Sequence, residues 1–259
     1  MTLCIVASVV GQTDQSCRML AMARGHAGPA KSATGLIDAV ARLSKLYGSE
    51  GPVGPTTPFE IILWKNIGYL VDDDRRAALF SEFSKRVGMR AASIAAASPA
   101  VLLDIARRGG MRPEARVENW RQIAALTMER ADGDLNAALR KLPVVKAALL
   151  LKAFPSIGAP GADEILLLSG LDVRPAIDSN GLRSMLRLGF CKERTTYSAS
   201  YREATAALSE QGKLESEWLR LAFHVLRAHG QVLCKRSAPK CVACPLAPTC
   251  PRVKPKGSY

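Results

Sequence analysis

With 259 residues, 48% of them hydrophobic, the chain is long enough for one large or two small domains with a substantial buried core. Lysine and arginine outnumber aspartate and glutamate by 36 to 23, a formal net charge of +13, which attracts polyanions, nucleic acid ahead of an anionic membrane surface. No apolar run reaches the ~20 residues that span a bilayer, and the early stretch LCIVASVV lacks the basic flank of a signal peptide, so a cytoplasmic protein is expected.

Residues 1–33 carry no sustained period and read as a disordered leader. Helical periodicity begins near Leu36, with Val40, Leu43 and Tyr47 on the same face and Gly48 as a stop. After a Gly- and Pro-rich linker, Thr57-Pro58-Phe59-Glu60 reads as an N-cap, a first-turn proline and a capping box, opening a mostly buried helix over 58–71. Further helices are expected near 74–87, 91–96, 99–108, 113–130, 134–141, 144–153 and 214–229, and residues 253–259 form a basic tail. No strand alternation is found, so the fold class is all-α.

Between two of these helical runs lies Phe154-Pro155-Ser156-Ile157-Gly158-Ala159-Pro160-Gly161, a tight turn of the helix-hairpin-helix type. Gly158 is expected to take a backbone conformation closed to other residues. The amides opening the second helix, around Gly158 and Gly161, can then meet a phosphate oxygen. About twenty residues on, Ala176-Ile177-Asp178-Ser179-Asn180-Gly181 places an acid after an apolar pair, where a helix starts. Asp178 is an N-cap by type and equally a carboxylate fixed at a groove. Arg183 and Arg187 follow on that helix, either lining the groove or paired to another part of the chain.

Cysteines 234, 241, 244 and 250 follow a C-x6-C-x2-C-x5-C pattern, with Pro245 and Pro251 directly after two of them. Four thiols this close can surround one metal centre. A [4Fe-4S] cluster or a Cys4 zinc site fits the donor set. The single short C-x2-C knuckle and an odd total of seven cysteines favour the cluster over zinc and over disulfides.

Taken together, T-P-F-E at 57–60, F-P-S-I-G at 154–158, I-D-S-N-G-L-R at 177–183, H-G-x3-C at 229–234 and the four cysteines resemble the helix-hairpin-helix/Gly-Pro-Asp DNA glycosylase superfamily, in its endonuclease III-like branch. The resemblance covers residues 34–252. It implies a six-helix barrel lobe over 57–171 and an iron–sulfur cluster lobe built from 34–56 and 172–252, with DNA in the groove between them. It also implies a monomeric enzyme that cleaves the N-glycosidic bond of a damaged or mismatched base in double-stranded DNA. Asp178 would be the catalytic carboxylate, and Cys234, Cys241, Cys244 and Cys250 the ligands of a [4Fe-4S] cluster. The hairpin glycines Gly158 and Gly161, and the loop cations Lys235, Arg236 and Lys240, would meet DNA.

Two departures from the family pattern matter. Bifunctional members carry a lysine two positions after the hairpin glycine, where this chain has Pro160, so a monofunctional enzyme using water is implied. Relatives fill the gap left by the flipped base with glutamine, where this chain has Leu70, either an apolar wedge or a core residue. Trp64, Lys65 and Tyr69 are candidates for the base pocket, and Lys65 stands where the adenine-specific branch has glutamate. The rival reading is a non-catalytic or redox-responsive iron–sulfur DNA-binding protein on the same fold.

Overall fold

The computed structural model describes residues 35–49, 54–211 and 215–252. The expected leader, the basic tail and Leu214 lie outside them. The described residues form twelve α-helices: α1 (Leu36–Tyr47), α2 (Pro58–Asn66), α3 (Asp73–Arg86), α4 (Ala91–Ala96), α5 (Pro99–Arg108), α6 (Pro113–Ala131), α7 (Leu135–Lys141), α8 (Val144–Leu151), α9 (Ala159–Leu168), α10 (Ser179–Leu188), α11 (Tyr197–Ser209) and α12 (Ser216–Val232). Two single-turn 3-10 helices sit among the cysteines. None of these helices is long and apolar enough to cross a membrane.

The apolar faces gather into two large cores. One runs from Phe59 to Leu166 and holds α2 to α9. Its largest buried side chain, Trp120, meets Phe83 edge-on at 4.8 Å and donates its ring N–H to the Asn66 carbonyl. The other joins α1 to residues 177–250 through Leu36, Val40, Leu43, Met185, Tyr201 and Leu226. A small cluster of Leu167, Ala176, Leu219 and Phe223 bridges them. Helix α1 packing against residues 177–250 brackets the first core, and Arg227 links Asp178 to Asp73 at the start of α3.

Several local expectations need correction. Helix α2 stops at Asn66 and does not reach residue 71. The Asn66 amide donates back to the Ile62 carbonyl and across to the Pro155 carbonyl, so the side chain competes for the backbone's partners and ends the helix. The capping box of α2 is not formed: Thr57 caps no backbone N–H and its hydroxyl donates to Glu60 Oε2 instead. Gly158 sits at φ −88°, an ordinary extended conformation, and Ser156 takes the left-handed one at φ 62°. Helix α11 has no counterpart in the sequence reading.

Candidate active site

The end of α2 and the loops after it build one wall of a cavity of about 480 Å³. Residues 67–71 run beside residues 109–112, with Tyr69 N–H donating to the Gly109 carbonyl. A Cβ at Gly109 would lie 2.6 Å from the Ile67 carbonyl oxygen, and one at Gly110 (φ 91°) 2.3 Å from that of Tyr69, so only glycine permits this approach. Arg116 fixes the second loop by donating to the Ala106 and Met111 carbonyls. Asn66 ties α2 to the hairpin through Pro155 and to α6 through Asn119, which donates to its Oδ1. The cavity is lined by Lys65, Asn66, Tyr69, Arg112, Arg116, Asn119 and Ser156, among others.

Strain concentrates here. Among the described residues five non-glycine residues have positive φ, and three of them, Leu70 (56°), Arg112 (58°) and Ser156 (62°), lie in or next to this cavity. Each such residue costs about 1–3 kcal/mol, and such outliers gather at functional sites. Leu70 is 80% exposed and so is not core. Tyr69 is exposed as well, so neither is a buried packing residue. Trp64 does not line this cavity: it packs edge-on against Phe80 at 5.3 Å and lies under the Arg76 guanidinium. Arg76 also donates to the Trp64 and Gly68 carbonyls, closing the end of α2.

Lys65 Nζ donates to Glu164 Oε2 at 2.5 Å. Glu164 lies one turn beyond Gly161 on α9, on the same helix face. A Cβ at Gly161 would be 3.5 Å from Lys65 Cε, so the lysine stem runs directly over the hairpin helix.

Asp178 caps α10 by accepting from the Gly181 N–H at 2.7 Å, and its Oδ2 accepts from the Asn180 amide at 3.0 Å. Its side chain is 18% exposed, with Arg227 Nε 3.6 Å from Oδ2. Arg227 is mainly engaged elsewhere, donating from both terminal nitrogens to Asp73 at 2.8 and 2.7 Å. That hydrogen bonding, despite burial, holds the Asp73 carboxyl below its usual range. One guanidinium thus faces two carboxylates, with the Arg76 cation also close enough to act on Asp73. Tyr197, half exposed, has its phenol pushed up by burial and by the nearby Asp178 and Glu164 carboxylates. Tyr197 therefore sees the Asp178 corner and the Lys65–Glu164 pair together.

Arg183 and Arg187 form no ion pairs among the described residues and instead hold backbone carbonyls. Arg183 donates to the Cys234 and Gly230 carbonyls, and Arg187 to the carbonyls of Cys234, Lys235 and Arg236. The four cysteines are free thiols, and they gather beyond this end of α10. Cys244 is pushed up by burial and by Cys250, Cys234 and Cys241 in turn. Cys250 Sγ lies 3.7 Å from the Arg187 carbonyl, and Cys234 Sγ 3.6 Å from the Arg187 guanidinium. Among the described residues no three His, Cys, Asp or Glu side chains are grouped closely enough to hold a single metal ion. Lys235, Arg236 and Lys240 are exposed on the same loop.

No protein-family model matches the chain, and no curated protein matches it. Solved structures do. A trapped endonuclease III–DNA covalent intermediate, an estranged-adenine complex, aligns at TM-score 0.67 and 18% identity over 83% of this chain and 94% of that one. A thermostable thymine-DNA glycosylase aligns at 0.65 and 12% identity over 84% and 94%. This chain has the helix-hairpin-helix DNA glycosylase fold. An H. pylori 3-methyladenine DNA glycosylase bound to 1,N6-ethenoadenine aligns at 0.56 and 13% identity, over 75% and 96%. Within this fold, Arg227, Glu164, Tyr197 and Asn119 escaped the sequence reading. Arg220 and Arg227 stand two turns apart on α12, and Arg220 also reaches across, to the Leu167 carbonyl. That repeat was the one available signal.

Proposed function

We propose that the protein is a base-excision DNA glycosylase that hydrolyses the N-glycosidic bond of a damaged or mismatched base in double-stranded DNA. The observation that carries this reading is Asp178, a carboxylate fixed by a helix start and largely buried beside Arg227, on a fold that also holds a cavity walled by strained loops. As the base departs, the sugar gains oxocarbenium character. A preorganised carboxylate stabilises that charge and orients the attacking water. Leu70 is suited to wedge into the stack while the base is extruded toward the cavity. The hairpin at Gly158 and Gly161, with Lys235, Arg236 and Lys240, would hold phosphates.

Strand cleavage by the hairpin route is not expected, because Pro160 has no amine. A panel of duplexes, each with one altered base, tests both points when every product is divided and half is treated with hot alkali. Breaks that appear only after alkali are the expected result. Breaks without alkali would sink the monofunctional reading. Intact strands on every duplex, with tight DNA binding, would favour the non-catalytic rival.

Cys234, Cys241, Cys244 and Cys250 would hold a [4Fe-4S] cluster. The donor set fits: four free thiols of one loop share one neighbourhood. The spacing C-x6-C-x2-C-x5-C, with a single short knuckle, favours a polynuclear centre over zinc. When bound, the cluster supplies a rigid frame for the loop. Anaerobically purified protein should contain iron and acid-labile sulfide in equal amounts. Zinc without sulfide would refute the assignment.

A further inference from the structure

Breaking a glycosidic bond separates charge. The electron pair of the C1′–N bond leaves with the base, so positive charge grows on the sugar and negative charge on the base. Asp178 answers only the first of these. The second needs a cation or hydrogen-bond donors on the base side.

The cavity wall has that character. Its polar lining comes from Lys65, Arg112, Arg116, Asn66, Asn119 and Tyr69, and no carboxylate lines it among the described residues. Arg116 and Asn66 are spent on backbone carbonyls. Lys65 is the cation held in place there: Glu164, with a side chain only 13% exposed, grips its ammonium, and the absent side chain of Gly161 leaves room for its stem. Glu164 lines a separate cavity with Ile61 and Trp64 of α2, and its carboxylate offsets part of the lysine charge, so the positive character of the base-site wall comes from Lys65 together with Arg112, which forms no ion pair among the described residues.

We infer that this cavity selects neutral, acceptor-rich bases that depart as anions, and that Lys65 is the catalytic cation meeting the charge on the departing base. The inference rests on the glycosylase reading. The C1′–N bond breaks and its electron pair goes to the base nitrogen. The water oxygen bonds to C1′, and a proton from that water ends on the base. Lys65 keeps its ammonium throughout and forms no bond to the sugar. Bases that already carry positive charge, such as ring-alkylated ones, are repelled by the same cation and gain nothing from it as they leave.

The test compares two duplexes with 2′-fluoroarabino sugars, which resist cleavage. One carries uracil, the other 3-methylcytosine, a ring of equal size that is cationic at neutral pH. The wild-type protein is expected to bind the uracil duplex at least tenfold more tightly. Lys65→Met combined with Glu164→Gln, which leaves no lone buried charge, is expected to bring the two within threefold, and Lys65→Arg to retain the preference. Equal wild-type binding, or a preference unchanged in the double variant, overturns the inference. So does a borohydride-trapped adduct on abasic DNA that disappears with Lys65→Met, since that makes Lys65 a nucleophile. Retained preference with no base release from any cleavable duplex would instead overturn the glycosylase reading alone.

Discussion

Asp178→Asn is expected to slow base release by about 10²–10³-fold, the usual loss when one preorganised electrostatic group is removed, while folding and DNA affinity stay near wild type. The substitution is selective because Asp178 has two tasks. Its Oδ1 caps α10 by accepting from the Gly181 N–H, and asparagine is an equally good cap. What asparagine lacks is the charge. Oδ2 also accepts from the Asn180 amide, and an amide there presents a donor to a donor, a small cost that should appear as a modest fall in melting temperature. Single-turnover base release, DNA binding by fluorescence anisotropy and thermal melting separate these effects. Release within threefold of wild type would remove Asp178 from the chemistry and favour the rival DNA-binding reading. Alanine is the less informative choice, because it removes cap and charge together.

The second large effect is expected at Arg227. Its side chain is 19% exposed and bridges α12 to the start of α3 through Asp73. Removing one partner of such a pair strands the other, and about 1–2 kcal/mol of stability should be lost in Arg227→Gln, less than for a fully buried pair because the Asp73 side chain is 39% exposed to solvent. The effect depends on pH in a definite direction. Hydrogen bonding from Arg227 depresses the Asp73 carboxyl, so the pair's contribution is fully present above the ordinary carboxylate range and declines as pH falls through the lowered value. Denaturant melts at neutral and at strongly acidic pH should show the gap between wild type and variant closing on the acid side. A gap that stays constant would mean the loss is one of packing and not of charge. Arg227 also lies 3.6 Å from Asp178, so base release should fall further than the stability loss accounts for.

The positions that sequence order and type could reveal were those whose meaning is local. Asp178 announces itself through the apolar pair before it and the helix after it. The cysteines do so through their spacing, and Lys65 as an amine in an apolar helix. Residues whose role depends on a distant partner stayed hidden. Arg227 meets Asp73 across 154 positions, and Lys65 meets Glu164 across 99. Periodicity marks a buried face without naming what covers it, which is why the carbonyls that Arg183 and Arg187 hold were not foreseen. Helix α11 was missed because its buried stripe includes Ala204 and Ser200 beside Tyr201 and Leu208, too small and polar to signal burial. The early end of α2 was illegible for a related reason: Asn66 finds its second acceptor, the Pro155 carbonyl, only once the hairpin is folded.

Helix α10 behaves as a strut. At one end it carries Asp178, and along its length Arg183 and Arg187 hang on carbonyls of Gly230, Cys234, Lys235 and Arg236. At the Asp178 end it is pressed against α12, where a Cβ at Gly230 would come within 2.4 Å of the Asn180 carbonyl oxygen. A premature stop just after Val232 would spare every residue lining the cavity, and Asp178 with them. It would still take away most of the acceptors that anchor two guanidinium groups and let the strut swing. Residues 233–252 are therefore as sensitive to damaging nonsense and frameshift changes as the codons of the site itself.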